Sequence, residues 1–261
     1  MAGLQSSNPV FGRAPSLQPN TFGAPGYPTP GEVEDIYRTP QRLTLDDVVV
    51  RTATLLGIVV ATGALAWLSN ASSAAVSGAA LVGFVLALVN IFKRQVVPAL
   101  VLLYAACEGF FLGGISAFFE HTPGYEGLPL QAAVGTAAIF GGVLLAYKNK
   151  VLRATPRFTK IVTSAFLGLF ALLVLNILIN AFDGAGSGLG LRNGSGLAIL
   201  FSIAFIAVGS MTFVLDFDQA ERLVEQGAPE RESWRVAFGL VVGLVWLYLE
   251  ILRLLAALRD R

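Results

Sequence analysis

Five ionisable residues stand in stretches that are otherwise almost free of charge. They are Glu108 in YAACEGFFLGG, Asp216 and Asp218 in MTFVLDFDQ, and Glu250 with Arg253 in WLYLEILRLL. Carboxylates in such surroundings can do several kinds of chemistry. They supply oxygen ligands to a hard cation such as calcium. Two that share a site titrate as a unit and make a pH-sensitive element. A pair of aspartates could also form the dyad of an intramembrane protease, but neither Asp216 nor Asp218 stands in a Gly-x-Gly-Asp stretch, so the chain is read as not an enzyme. Each group also has a plainer reading. Arg253 follows Glu250 by one helical turn, so the two can form a local ion pair that only lowers the cost of insertion. Asp218 suits an interfacial position at the mouth of a helix, and Glu108 suits a hydrogen-bonded core carboxyl. A charge at membrane depth costs roughly 2.5–3.5 kcal/mol on insertion scales, so either a partner or a function is required.

The elements that position these residues are apolar helices. The chain has 261 residues, 55% of them hydrophobic and 13% charged, with a mean hydropathy of +0.69. A soluble domain carries about 25% charged residues. Seven apolar segments, at 52–69, 74–92, 97–119, 129–147, 161–182, 196–216 and 236–257, have the roughly 20-residue length that crosses a bilayer. Only helices or closed barrels satisfy the backbone in lipid, and the alternation of a barrel strand is absent. The fold class is therefore all-α, a polytopic membrane bundle of seven transmembrane helices spanning residues 46–261. Residues 1–45 are rich in Pro, Gly, Ser, Asn and Gln without an apolar period, which predicts a disordered tail. The tail lacks a signal-peptide h-region, so the first span is expected to serve as an uncleaved anchor.

Lys and Arg set the expected orientation. Arg38, Arg42 and Arg51 precede the first span, Lys93 and Arg94 follow the second, the stretch KNKVLRATPRFTK follows the fourth, and Arg222, Arg231 and Arg235 follow the sixth; the alternate connections hold only Arg192. The N-terminus is thus expected in the cytoplasm, and the plasma membrane is the expected location if the chain is prokaryotic. The basic ending RLLAALRDR runs against this count, so the last segment is either a full span or re-entrant, with the full span preferred. A net charge of +1 argues against nucleic acid as a partner. Cys107 is the lone cysteine and can form no internal disulfide. Gly109 with Gly113, and Gly239 with Gly243, have the spacing that lets helices approach closely. Asn70 and Asn193 open glycosylation-type triplets of little weight, and His121 suits a solvated loop.

The stretch FVLDFDQAERLVEQG followed by WLYLEILRLL resembles the paired signature that closes the transmembrane Bax inhibitor motif (Bax inhibitor-1/YccA-like) proteins. YAACEGFFLG resembles that family's third-helix Glu-Gly motif. The resemblance covers the seven segments and leaves out the tail. It implies a bundle whose last helix is central and a carboxyl pair between helices six and seven, associated with a pH-sensitive calcium leak. Some members of the family are described as cell-death suppressors or as modulators of a membrane protease. Carried over to this chain, the pH-sensing and gating pair is Asp216 with Glu250, and Asp218, Glu108 and Arg253 are auxiliary. Asp218 remains the alternative to Asp216, which is preferred as the deeper of the two. Glu250 stands where the family usually has Asp, and the stretch between the motifs is longer than usual.

Depth sets a condition on that pair. With helix six ending at Asp216 and helix seven beginning near Val236, Glu250 lies about 21 Å further in. The two meet only if the amphipathic DQAERLVEQ continues helix six, or if helix seven begins earlier. Two functions are therefore expected to compete: a pH-sensitive leak with calcium as the permeant ion and no cofactor, or a non-conducting regulator that binds a membrane protein partner. The lipid bilayer is a partner in either case.

Overall fold

The computed structural model of the protein describes residues 42–183, 191 and 196–260. The readings of residues 1–41 as a tail, and of Arg192 and Asn193 as loop residues, fall outside this range. The described residues form seven helices: α1 (Leu45–Leu68), α2 (Ser73–Phe92), α3 (Pro98–His121), α4 (Leu128–Lys148), α5 (Pro156–Asp183), α6 (Gly196–Glu225) and α7 (Ser233–Arg259). All seven are long and apolar enough to cross a bilayer. Leu68, Phe92, Leu130 and Ile161 are between 68% and 80% exposed on the outside of the bundle. Such a surface is stable against acyl chains and would be unstable against water.

The helix ends follow local chemistry. Thr44 and Asp47 form a capping box on α1, with the Asp47 N–H donating to Thr44 Oγ1 at 3.2 Å and the Thr44 N–H to Asp47 Oδ2 at 3.0 Å. Just before it, the Leu43 N–H donates to the Ala228 carbonyl at 2.8 Å, and Leu43 is buried. Residues 42–45 therefore belong to the packed bundle, a few residues earlier than the boundary expected at 46. Helix α6 runs nine residues past Asp216 and stops at Gly227, whose positive φ of 66° suits only glycine without strain. The Gly227 N–H donates to Val224 and the Ala228 N–H to Leu223, both at 3.0 Å, which satisfies the last carbonyls in a Schellman arrangement. A 3-10 turn at Glu230–Glu232 then leads into α7.

Helix α7 is the centre of the bundle. It packs against α1, α3, α4 and α6, and it is buried over half of its length where α2 is buried over about a tenth. It also runs unbroken to Arg259, long and apolar enough for a full span and without the break of a re-entrant segment. Its basic ending is a structural anchor. Arg259 donates to the Gly124 and Glu126 carbonyls at 2.8 and 3.0 Å, and Asp260 accepts from the Tyr125 hydroxyl. The end of α7 is thereby tied to the α3–α4 turn. This anchoring accounts for the arginine that runs against the Lys/Arg bias.

The closest helix contact joins α1 to α3. A Cβ on Gly109 would lie 2.4 Å from the Val59 carbonyl oxygen, and one on Gly113 would lie 2.1 Å from that of Gly63. The two backbones therefore touch directly, as the Gly-x-x-x-Gly spacing predicts. The second such spacing does something different. A Cβ on Gly239 would meet nothing within 4 Å, while one on Gly243 would meet the Phe213 ring at 2.8 Å. Gly243 makes room for an aromatic side chain and not for a helix backbone.

Candidate functional site

The candidate site is the seam between α6 and α7. Its register is read from three contacts. A Cβ on Gly243 would touch Phe213, one on Gly209 would lie 3.9 Å from the Trp246 ring, and Arg253 donates to the Ser202 hydroxyl at 3.3 Å. Partners on α7 fall in number as those on α6 rise, so the helices are antiparallel. Residues 202, 205, 209, 213 and 216 share one stripe of α6, and residues 243, 246, 250 and 253 share the facing stripe of α7.

Glu250 lies towards the end of the seam that carries the α3–α4 turn. Its side chain is 4% exposed and forms an ion pair with Arg253, which is 25% exposed and also reaches Ser202. Asn176 of α5 is another buried polar residue, on the helix that follows the Lys/Arg-rich α4–α5 connection. Burying both charges is tolerable because they lie one helical turn apart and bind each other. Next along the seam comes an aromatic layer. Trp246 packs edge-on against Phe205 at 4.2 Å and against Phe166 of α5 at 5.5 Å, and Phe213 fills the notch at Gly243. Such edge-to-face packing adds to the burial energy of the rings and fixes their orientation. Beyond the layer, towards the basic end of the bundle, lies half-buried Asp216, with no hydrogen bond or ion pair to another described residue.

The structure does not bring Asp216 and Glu250 together, although both elements extend as their meeting would require. Helix α6 continues to Glu225 and α7 begins at Ser233. However, nine residues separate Asp216 from the end of α6, whereas seventeen separate Glu250 from the start of α7. The mismatch leaves the two carboxyls about 12–16 Å apart along the seam at 1.5 Å per residue. The direct pair carried over from the family is therefore replaced by two acids on facing stripes, one on each side of an aromatic layer.

The auxiliary residues separate in the same way. Arg253 is the partner of Glu250. Asp218 faces away from the seam and pairs with Arg222, one turn on, at 2.6 Å. Glu108 lies on α3, against α2 and away from the α6–α7 seam: its Oε1 sits 3.0 Å from where a Gly83 Cβ would be, so glycine at 83 leaves the carboxyl its space. Tyr248, two residues before Glu250, shares a 2.6 Å hydrogen bond with Ser116 and ties α7 to α3. Among the described residues no three His, Cys, Asp or Glu side chains cluster. Any cation in the seam would meet single carboxylates and not a cage.

Two features were missed by sequence reasoning. The signal for the aromatic layer is Phe205 and Phe213, eight residues apart on one helical face. Arg51 was counted only for its charge. In the structure it donates through Nε to the Ser233 hydroxyl at 2.5 Å, pairs with Glu230, and lies 5.0 Å over the Trp234 ring, clamping the start of α1 to the start of α7.

Seven apolar helices, with the last one at the centre, define an integral membrane protein of the helical-bundle class. The model of the family described as Bax inhibitor 1 like matches residues 8–260, and the chain belongs to that family. No curated protein matches the chain.

Proposed function

We propose that the protein is a pH-sensitive cation leak, with calcium the permeant ion, and that ions pass along the α6–α7 seam. The observation that carries this reading is the placement of Asp216 and Glu250 on facing stripes of one helix pair, with the Phe205–Trp246–Phe213 layer between them. The family resemblance supplies calcium and the pH sensitivity. The Lys/Arg bias puts the Asp216 end in the cytoplasm, together with the N-terminus.

In this reading the aromatic layer is the closed gate, an apolar constriction that excludes water and ions. The Glu250–Arg253 pair, with Ser202 opposite, holds α7 to α6 on one side of it. Protonating Glu250 removes the charge that Arg253 binds, which weakens that clasp and lets the seam part. Flux therefore rises as pH falls. Asp216 acts differently, its carboxylate drawing the cation to the inner end of the path.

The test is calcium flux into liposomes containing the purified protein, followed across mildly acidic to mildly alkaline pH. Wild type should conduct more at acid pH. Glu250→Gln should leak at every pH, and Asp216→Asn should lower the rate while keeping the pH profile. Flux no greater than that of empty liposomes at every pH would reject the leak. It would leave the non-conducting regulator as the reading of this membrane protein.

A further inference from the structure

A different face of the molecule carries an inference that does not depend on the leak. Helices α1 and α4 both pack on α7, with a cleft between them. Two cavities occupy the cleft, of about 760 Å³ and about 910 Å³, and Leu56 and Phe140 line both and mark where they meet. Both volumes are in the range of sites that hold small molecules, about 300–1,000 Å³. The first is lined almost wholly by apolar side chains. The second lies at the end of the bundle where α4 stops, and its upper walls are apolar (Val48, Ala53, Leu144, Leu240).

The mouth of that second cavity is charged. Lys148, Lys150 and Arg153 line it, together with Asp218 and Glu221. The two acids are engaged, Asp218 by Arg222 at 2.6 Å and Glu221 by the Tyr147 hydroxyl at 2.6 Å. The three cations form no ion pair with other described residues. The depth also fits a lipid. From Lys148 to Phe140 is eight residues of helix, about 12 Å, close to half of the roughly 30 Å hydrocarbon core and hence to one leaflet. An apolar slot one leaflet deep, with a basic rim at its mouth, matches one kind of molecule.

We propose that this cleft binds one anionic phospholipid. Its phosphate lies against Lys148, Lys150 and Arg153, and one acyl chain fills the slot up to Leu56 and Phe140. The basic rim selects the headgroup by charge, and the slot selects for a molecule that carries a chain. Burying the chain removes the exposed faces of Ala53 and Leu144 from contact with bulk lipid and adds a bridge between α1 and α4.

The probes are phosphatidylglycerol and phosphatidylcholine with identical chains, added to delipidated protein in neutral detergent. Bound lipid is counted by native mass spectrometry and melting temperature is measured in parallel. One phosphatidylglycerol per chain is expected, bound at least tenfold more tightly than phosphatidylcholine and raising the melting temperature. Lys148→Gln/Lys150→Gln/Arg153→Gln should abolish the preference. Ala53→Trp, which fills the slot without touching a charge, should weaken phosphatidylglycerol binding at least tenfold. If the triple variant does not fold, Lys150→Asn keeps the test alive. Lys150 has a φ of +61°, which asparagine tolerates, and the substitution should reduce the preference in part. Equal binding of the two lipids overturns the proposal. So does a preference that survives the rim variants, or binding unaffected by Ala53→Trp, which would mark a headgroup contact without a seated chain. A lipid-free dimer in the mass spectrum would assign the cleft to a second copy and overturn it as well.

Discussion

Removing either member of the Glu250–Arg253 pair should cost stability, but by different amounts and with different pH dependence. Glu250 is 4% exposed and Arg253 is 25% exposed. Arg253→Met takes the guanidinium from a carboxylate that is almost fully buried, and breaking a buried pair in this way costs about 3–5 kcal/mol. Glu250→Gln leaves behind a cation that is one-quarter solvated, still near the Ser202 hydroxyl, and facing an amide oxygen that can accept from it. The loss there is about 1–3 kcal/mol, the size of a hydrogen bond to a charged group.

The sign of the pH effect follows from proton linkage. In Arg253→Met the folded protein can relieve the buried charge by taking a proton onto Glu250. The variant's penalty is therefore expected to shrink as pH falls, because a protonated Glu250 carries no buried charge. Glu250→Gln has no proton to take up there, so its penalty lacks this relief. The assay is equilibrium unfolding in detergent micelles, followed by tryptophan emission, at several pH values. The double variant should lose less than the sum of the singles, because the interaction between the two side chains is counted in both single losses. Equal penalties for the two single variants, or an Arg253→Met penalty that does not change with pH, would show that the pair does not hold the seam.

Three further predictions concern packing and topology. Gly109→Ala and Gly113→Ala should each destabilise by about 1–3 kcal/mol, the cost of overpacking a tight contact, whereas Gly239→Ala, facing open space, should be neutral or stabilising by about 0.5–1 kcal/mol. Thermal melting of the three variants checks this contrast. Arg51→Lys should cost about 1–2 kcal/mol despite keeping its charge, because an ammonium cannot serve Ser233 and Glu230 together while stacking on Trp234; melting of the Arg51→Lys and Arg51→Ala variants should show similar losses. Cysteines at Gly124 and Lys150, in a Cys107→Ser background, should react with an impermeant thiol reagent from opposite sides of the membrane, and labelling of both from one side would contradict the seven-span path.

Much of the fold could be read from the sequence because hydrocarbon imposes a simple rule. Each apolar run of about 20 residues must become a helix, and each of the seven did. The ends were less legible, since water-facing turns are governed by local chemistry. Gly227 and Thr44 fix the stop of α6 and the start of α1 through capping bonds, and neither alters hydropathy. The close approach at Gly109 and Gly113 followed from residue size, but the same spacing at Gly239 and Gly243 served a phenylalanine instead, because the facing residue decides what a notch receives. Glu250 and Arg253 were correctly placed as an alternative ion pair, since one helical turn suffices to join them. The Asp216–Glu250 pairing failed because register between two helices depends on how far each extends past the membrane. That distance is set by the turn at 226–232 and not by the motifs themselves.

The claim that the α6–α7 seam is the conduction path, closed by its aromatic layer, is tested most directly by calcium flux through Trp246→Ala in liposomes at neutral pH. Trp246 bridges Phe205 and Phe166, so its removal should open the constriction while leaving Glu250 and Arg253 in place. The account predicts a neutral-pH flux at or above the acid-pH flux of wild type. A Trp246→Ala protein that is folded and conducts no more than wild type at neutral pH would contradict it.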